Sequence, residues 1–168
     1  METQIRGYKP SDLPACRALW AELTDHHRAI YQDPTIGGEN PGLAFDEHLA
    51  RVGEECTWVA TSGEDIVGLT CLAVEGEQAE VEPVIVSVPR RDRGVGRQLV
   101  VRALEEAKKL GILCLSAKPV ARNTEAMSFF YESGFRILGH VQMFMWLGIP
   151  HPGQWKRGPT LYGRRFDC

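Results

Sequence analysis

The feature that most constrains this chain is an unbroken succession of strand, glycine loop, helix and strand between Ala79 and Ala117. "AEVEPVIVSV" reads as a strand and "PRRDRGVG" as a loop. Val95, Leu99, Val100, Ala103, Leu104, Ala107 and Leu110 then form an apolar stripe at helical spacing. Gly111 ends that helix as a C-terminal glycine does, and "ILCLSA" has the composition of a buried strand. A helix that crosses from one strand to the next sets the two strands parallel. The chain must therefore build a sheet with at least one parallel pair.

The remaining elements fill in around that unit. "QIRGY" is a short strand, and Ser11 or Asp12 can cap a helix carrying Leu13, Cys16, Ala18, Leu19, Trp20 and Leu23. "HHRAIYQDPTIGGENPG" breaks that pattern with Pro and Gly, and "LAFDEHLARV" reads as a second short helix. "CTWVATS" and "DIVGLTCLAV" flank a Ser62-Gly63-Glu64 turn, a hairpin signal. "NTEAMSFFYES" is a helix opened by Asn123 and closed by Gly134, followed by strands over "FRILGH" and "VQMFMWL". The expected fold class is α/β (α+β): a mixed, mostly antiparallel twisted sheet of about seven strands with four helices. One domain is expected over residues 1–147, with a Gly-, Pro- and Arg-rich tail over 148–168 whose structure the pattern does not assign.

Four arginines, Arg90, Arg91, Arg93 and Arg97, crowd this loop in a chain whose net charge is -3. The overall balance argues against a general nucleic-acid or membrane-surface binder, so the positive site is local. No apolar run approaches the roughly 20 residues of a membrane span. The five cysteines show no ligand spacing, which argues against structural zinc, and reduced thiols suit a cytoplasmic protein.

A glycine loop at a helix start can hold a phosphate. The first turn offers free N–H groups and a partial positive charge. Gly94 and Gly96 would let an anion approach the backbone, and Arg91, Arg93 and Arg97 would add charge-assisted hydrogen bonds. The loop lacks the Gly-Lys-Ser/Thr of a Walker motif, and Leu99 stands where a dinucleotide fingerprint has its third glycine. By itself the loop reads equally as a glycine helix start with solvated arginines. Pro83 inside "EVEPVIV" marks either an edge strand or a bulge, and a bulge would free backbone groups for a ligand.

"RDRGVG" at residues 91–96 fits the R/Q-x-x-G-x-G/A signature of the GNAT superfamily of acyl-CoA-dependent N-acetyltransferases. "NTEAMSFFYESGF" resembles that family's second motif, in which an Asn opens a helix ending in Gly-Phe. The resemblance runs from about Gln4 to Leu147 and includes the order of elements. It implies acetyl-CoA as co-substrate, no metal, and a primary amine of a small molecule or peptide as acceptor. It also implies that the parallel strands splay apart. The strand end at Val86, Ser87 and Val88 would meet the pantetheine arm, and the amides from Arg93 through Gly94, Val95 and Gly96 to Arg97 would hold the pyrophosphate. Asn123 would contact pantetheine from the other side, with Phe130 packed against the arm, and a homodimer would be in keeping with the family.

Acetyl transfer needs a base for the amine, a donor to the thioester oxygen and a proton for the leaving thiolate. Glu80 and Glu82 alternate along the strand that leads into the loop, and Glu82, nearer Pro83, is the favoured base, acting directly or through a water. Both also read as solvent-facing strand residues. By resemblance the oxyanion donor is a backbone N–H near Val86. Such families often carry a Tyr seven residues after the Asn; here Phe130 is there and Tyr131 follows, rotated by about 100°. The thiolate's proton then comes from Tyr131 or from solvent. The acceptor site, by resemblance between the first helices and last strands, would draw on His27 and Tyr31, and Asp33, Glu39, Asp46 and Glu47 give its rim a lean towards cationic amines. A GNAT-like module that binds acyl-CoA without turnover is the alternative.

Overall fold

A computed structural model describes residues 2–143, 145, 147, 148 and 155–168. The main sheet has the order β1 (Thr3–Gly7), β2 (Thr57–Ser62), β3 (Asp65–Glu75), β4 (Gln78–Val86) and β5 (Cys114–Ser116). Helices α1 (Leu13–Tyr31) and α2 (Ala44–Val52) cover one face, and α3 (Val95–Lys109) covers the other. Helix α4 (Thr124–Glu132) follows β5. The mixed sheet with its parallel pair is the expected one, and β4 and β5 are that pair.

Two apolar layers enclose the central strands. Towards α1 and α2, Cys16, Leu19, Phe45, Val59, Leu69 and Ile85 pack together. Towards α3, Trp58, Leu72 and Ala107 form one cluster and Ala60, Val95 and Leu99 another. A strand buried on both faces reads as a continuous apolar run.

Two irregularities in β4 build the site. Thr70 pairs with Val84 but Leu72 pairs with Val81, so Glu82 and Pro83 together face Cys71. That is a β-bulge, one of the two readings of Pro83. The Glu82–Pro83 peptide is cis. The second irregularity is the length of the parallel pairing. β4 and β5 pair from Gln78 and Cys114 only as far as Glu80 and Ser116, after which β4 continues to Val86 paired with β3 only.

Three local expectations change. Helix α1 does not break at His26 but runs to Tyr31 and ends with Gln32 in the left-handed region at φ 55°. Arg28 makes this possible: its Nε donates to Ile36 O at 2.9 Å and its Nη2 to Gly38 O at 2.6 Å, folding the Pro- and Gly-rich segment back onto the helix. Residues 135–143 form no strand, and Ile137 and Leu138 there are exposed. Phe144 and Trp146, in the second expected strand, lie outside the described residues. The last two strands lie in the tail: β6 (Arg157–Leu161) and β7 (Arg164–Asp167) form a hairpin of their own. Tyr162 and Gly163 turn it with φ of 52° and 73°, the paired positive values of a tight hairpin turn.

Candidate active site

The free length of β4 opens onto a cleft of about 610 Å³, bounded by the start of α3, by α4 and by the inner sides of α1 and α2. The direction of the β4 amides follows from one hydrogen bond. Ser87 N donates to Val67 O at 2.9 Å, so Ser87 spends its main chain on β3. An antiparallel ladder alternates, so Ile85 does the same and Val84 and Val86 turn theirs to the opposite side, where β5 has parted. Arg91 Nε reaches back to Val86 O at 3.2 Å, tying the loop to the strand end.

The start of α3 faces the same space. Gly94 is the N-cap with φ 78°, a conformation that suits glycine, and a Cβ there would meet nothing within 4 Å. Gln98 N is the first amide to close the helix, on Gly94 O at 3.1 Å. The amides before it in the turn have no carbonyl partner inside the helix, which is the arrangement that attracts an anion. Gly96 sits beneath Phe129 and Val86, where a larger residue would fill the approach. Asn123 caps α4, its side-chain oxygen accepting from Ala126 N at 3.0 Å. Phe130 stands edge-on to both Phe129 and Phe135.

Of the residues singled out in the sequence, Glu80, Glu82, Val86, Arg91, Gly94, Val95, Gly96, Arg97, Asn123, Phe130 and His27 all line this cleft. Others lie beside it. Ser87 is engaged with β3, and Val88 N donates to the Glu22 carboxylate at 3.3 Å. Arg93 is not among the lining residues. Tyr31 closes α1, with the Arg122 guanidinium 4.8 Å above its ring. Tyr131 is 55% exposed, is not among the residues lining the cleft, and carries Arg136 over its ring at 4.7 Å.

The two carboxylates are held by cations from different elements. Lys118, after β5, pairs with Glu80, and Arg51, from α2, pairs with Glu82. Burial and the charge of His26 hold His27 below the usual histidine range. His48, which the sequence pattern did not mark, is buried against Trp20 with ring centroids 4.9 Å apart. Burial and the neighbouring Arg51 lower its pKa as well. Its position one turn before Arg51 is visible in the sequence, but its partner is a main-chain carbonyl that only the bulge exposes. Among the described residues, no group of His, Cys, Asp and Glu is placed to hold a metal ion, and no helix is long and apolar enough to cross a membrane.

Known proteins are similar to this chain in sequence and fold. The profile of the Acetyltransferase (GNAT) family matches residues 17–135. The uncharacterized N-acetyltransferase YvbK of Bacillus subtilis is 31% identical over 93 residues, which are 55% of this chain and 58% of that protein. The chain is 25% identical to the L-methionine sulfoximine/L-methionine sulfone acetyltransferase of Pseudomonas aeruginosa over 84% of each. Among solved structures, the PaiA N-acetyltransferase of Thermoplasma acidophilum in complex with coenzyme A superposes with a TM-score of 0.66. It is 21% identical, over 82% of this chain and 92% of that one. A parted parallel pair, a glycine-started helix beside it and a family profile across both mean that the chain belongs to the GNAT family of acetyltransferases.

Proposed function

We propose that this protein transfers an acetyl group from acetyl-CoA to a primary amine of a small molecule or peptide, by direct attack within a ternary complex. The observation that carries this reading is the convergence of three groups on one cleft. These are the unpaired amide edge of β4 at Val84 and Val86, the glycine-lined start of α3, and the carboxylates of Glu80 and Glu82.

The residues fit coenzyme A by their chemistry. Amides at the α3 start, with Arg91 and Arg97 beside them, suit a diphosphate. The free β4 edge suits an amide-bearing arm, which would add to it as a strand adds to a sheet edge. Asn123, Phe129 and Phe130 close the opposite side. When bound, acetyl-CoA supplies the thioester. A backbone N–H near Val86 would then stabilise charge on the thioester oxygen.

Glu82 accepts one proton of the incoming ammonium, directly or through one water, and the freed nitrogen attacks the carbonyl carbon; as the carbon–sulfur bond breaks, the nitrogen loses its second proton to water and the amide forms. Tyr131 lies outside the cleft, which favours protonation of the thiolate by solvent over protonation by this phenol. His27, held below the usual histidine range, and Trp20 line the cleft on the side of α1. The similarity to an enzyme acting on L-methionine sulfoximine and L-methionine sulfone makes free amino acids the first acceptors to assay.

The test is thiol release from acetyl-CoA across a panel of amines, paired with calorimetry of coenzyme A binding. Turnover of at least one amine is expected, and Arg91→Glu and Gly94→Glu should each lose both binding and turnover. The position of Tyr131 favours one second reading, a protein that binds acyl-CoA without turning it over. Tight binding with no amine acetylated would establish that reading instead.

A further inference from the structure

A bulge leaves main-chain groups without ladder partners. Here the C=O of Glu82 finds its partner on another element: His48 Nε2 lies 3.1 Å from it. One helical turn on, Arg51 Nη2 lies 3.1 Å from His48 Nδ1 and is also ion-paired with the Glu82 carboxylate. His48 and Arg51 thus project from one face of α2 and grip a single residue at both its main chain and its side chain.

The protons in this ring of contacts are fixed by chemistry. Arginine has donors and no acceptor, so His48 Nδ1 must accept from Arg51. The ring proton then sits on Nε2 and is donated to Glu82 O. Only the neutral imidazole satisfies both contacts. A proton added at Nδ1 would remove the acceptor and set two positive charges against each other. The charged groups acting on His48 are Arg51 from α2 and Glu82 from β4, and α1 presents the uncharged ring of Trp20.

We propose that His48 and Arg51 are positioning residues that fix Glu82 at the cleft, and that this clamp is closed only while His48 is the neutral Nε2–H tautomer. The inference rests on Glu82 as the base. It gives α2 a role in the chemistry that no contact with the acetyl donor requires. It also makes the acid limb of the activity a property of a residue other than the base itself.

Two measurements test it. Long-range nitrogen–proton NMR of the labelled full chain at pH 7.5 should show His48 protonated on Nε2 alone. A proton on Nδ1, or an imidazolium, overturns the proposal whether or not the protein turns over. In kinetics with acetyl-CoA and an active amine, Arg51→Met should lower kcat on the order of tenfold to a hundredfold through misplacement of the base, with the KM for acetyl-CoA unchanged. The acid limb that depends on His48 should also disappear, because without Arg51 a proton on Nδ1 breaks no contact and meets no opposing charge. His48→Gln, which keeps an N–H at similar reach and does not titrate, should retain most of kcat and lose that limb, whereas His48→Ala should not rescue. If Glu82→Gln is fully active, the base assignment fails. If Glu82→Gln is inactive while Arg51→Met and His48→Gln both keep the wild-type rate and pH profile, the clamp fails and the base assignment stands.

Discussion

Gly96 lies directly under the ring of Phe129: a Cβ built on it would stand 3.2 Å from Cε2 and 3.3 Å from Cζ. This contact joins the start of α3 to α4, one carrying the proposed phosphate cradle and the other the wall opposite β4. Gly96→Val should therefore push the ring out of place and intrude on the cradle. Coenzyme A affinity is expected to fall about tenfold or more, equivalent to roughly 1.4 kcal/mol. Calorimetry on the variant checks this, and unchanged affinity would show that the ring yields freely or that the anion sits elsewhere.

Cys16 and Cys71 are buried in the layer under α1 and α2, and burial pushes both thiols up to about 12. A thiol reacts as its thiolate, so both should resist alkylation at pH 8 in the native protein. Cys114, exposed on β5, should react first. Intact mass after brief treatment with a maleimide, followed by peptide mapping, reads the order. Labelling of Cys16 or Cys71 before unfolding would contradict the packing.

Asp12 is only 5% exposed and meets Arg6 through two hydrogen bonds of 2.7 and 2.9 Å, while also accepting from Lys9 N at 2.9 Å. The Arg6 bond, foremost, holds its carboxyl below the usual aspartate range. The unfolded state thus binds this proton more readily than the folded state does. The stabilisation is fully present above the unfolded value, near pH 4, and is lost as pH falls through the folded value. Asp12→Asn should cost about 2 kcal/mol at pH 7, the scale of a charged hydrogen bond. Its deficit relative to the parent should shrink below pH 4 in urea titrations. A deficit independent of pH would mean the pair does not act through charge.

Tyr131→Phe is expected to keep kcat within about threefold, a change of well under 1 kcal/mol in barrier. The phenol is outside the cleft and packs under Arg136. A loss of a hundredfold or more would return the phenol to the role of acid and would require α4 to turn on binding.

The parts of this molecule that follow from local chemistry were legible in its sequence. The α3 stripe begins at Val95 and the chain leaves the helix at Gly111, φ 72°, as the pattern indicates. Pro83 signalled an edge or a bulge because proline has no proton to give a ladder. Asn123 signalled the start of α4. What was not legible depends on partners distant in the chain. The continuation of α1 to Tyr31 depends on Arg28 binding carbonyls of the following loop. The clamp on Glu82 depends on residues of α2 meeting a carbonyl of β4. The tail hairpin did carry a local signal, Tyr162-Gly163 between Leu161 and Arg164, that composition obscured.

The early parting of β4 from β5 has a consequence for how the protein behaves in the test tube. A stretch of strand with unspent amides is a template on which another chain can stack. Any molecule that seats itself along Val84 to Val86 caps that seam, so turbidity on storage should fall as coenzyme A is added. The edge proposed to take the cofactor is thus also a place where the protein can stick to itself.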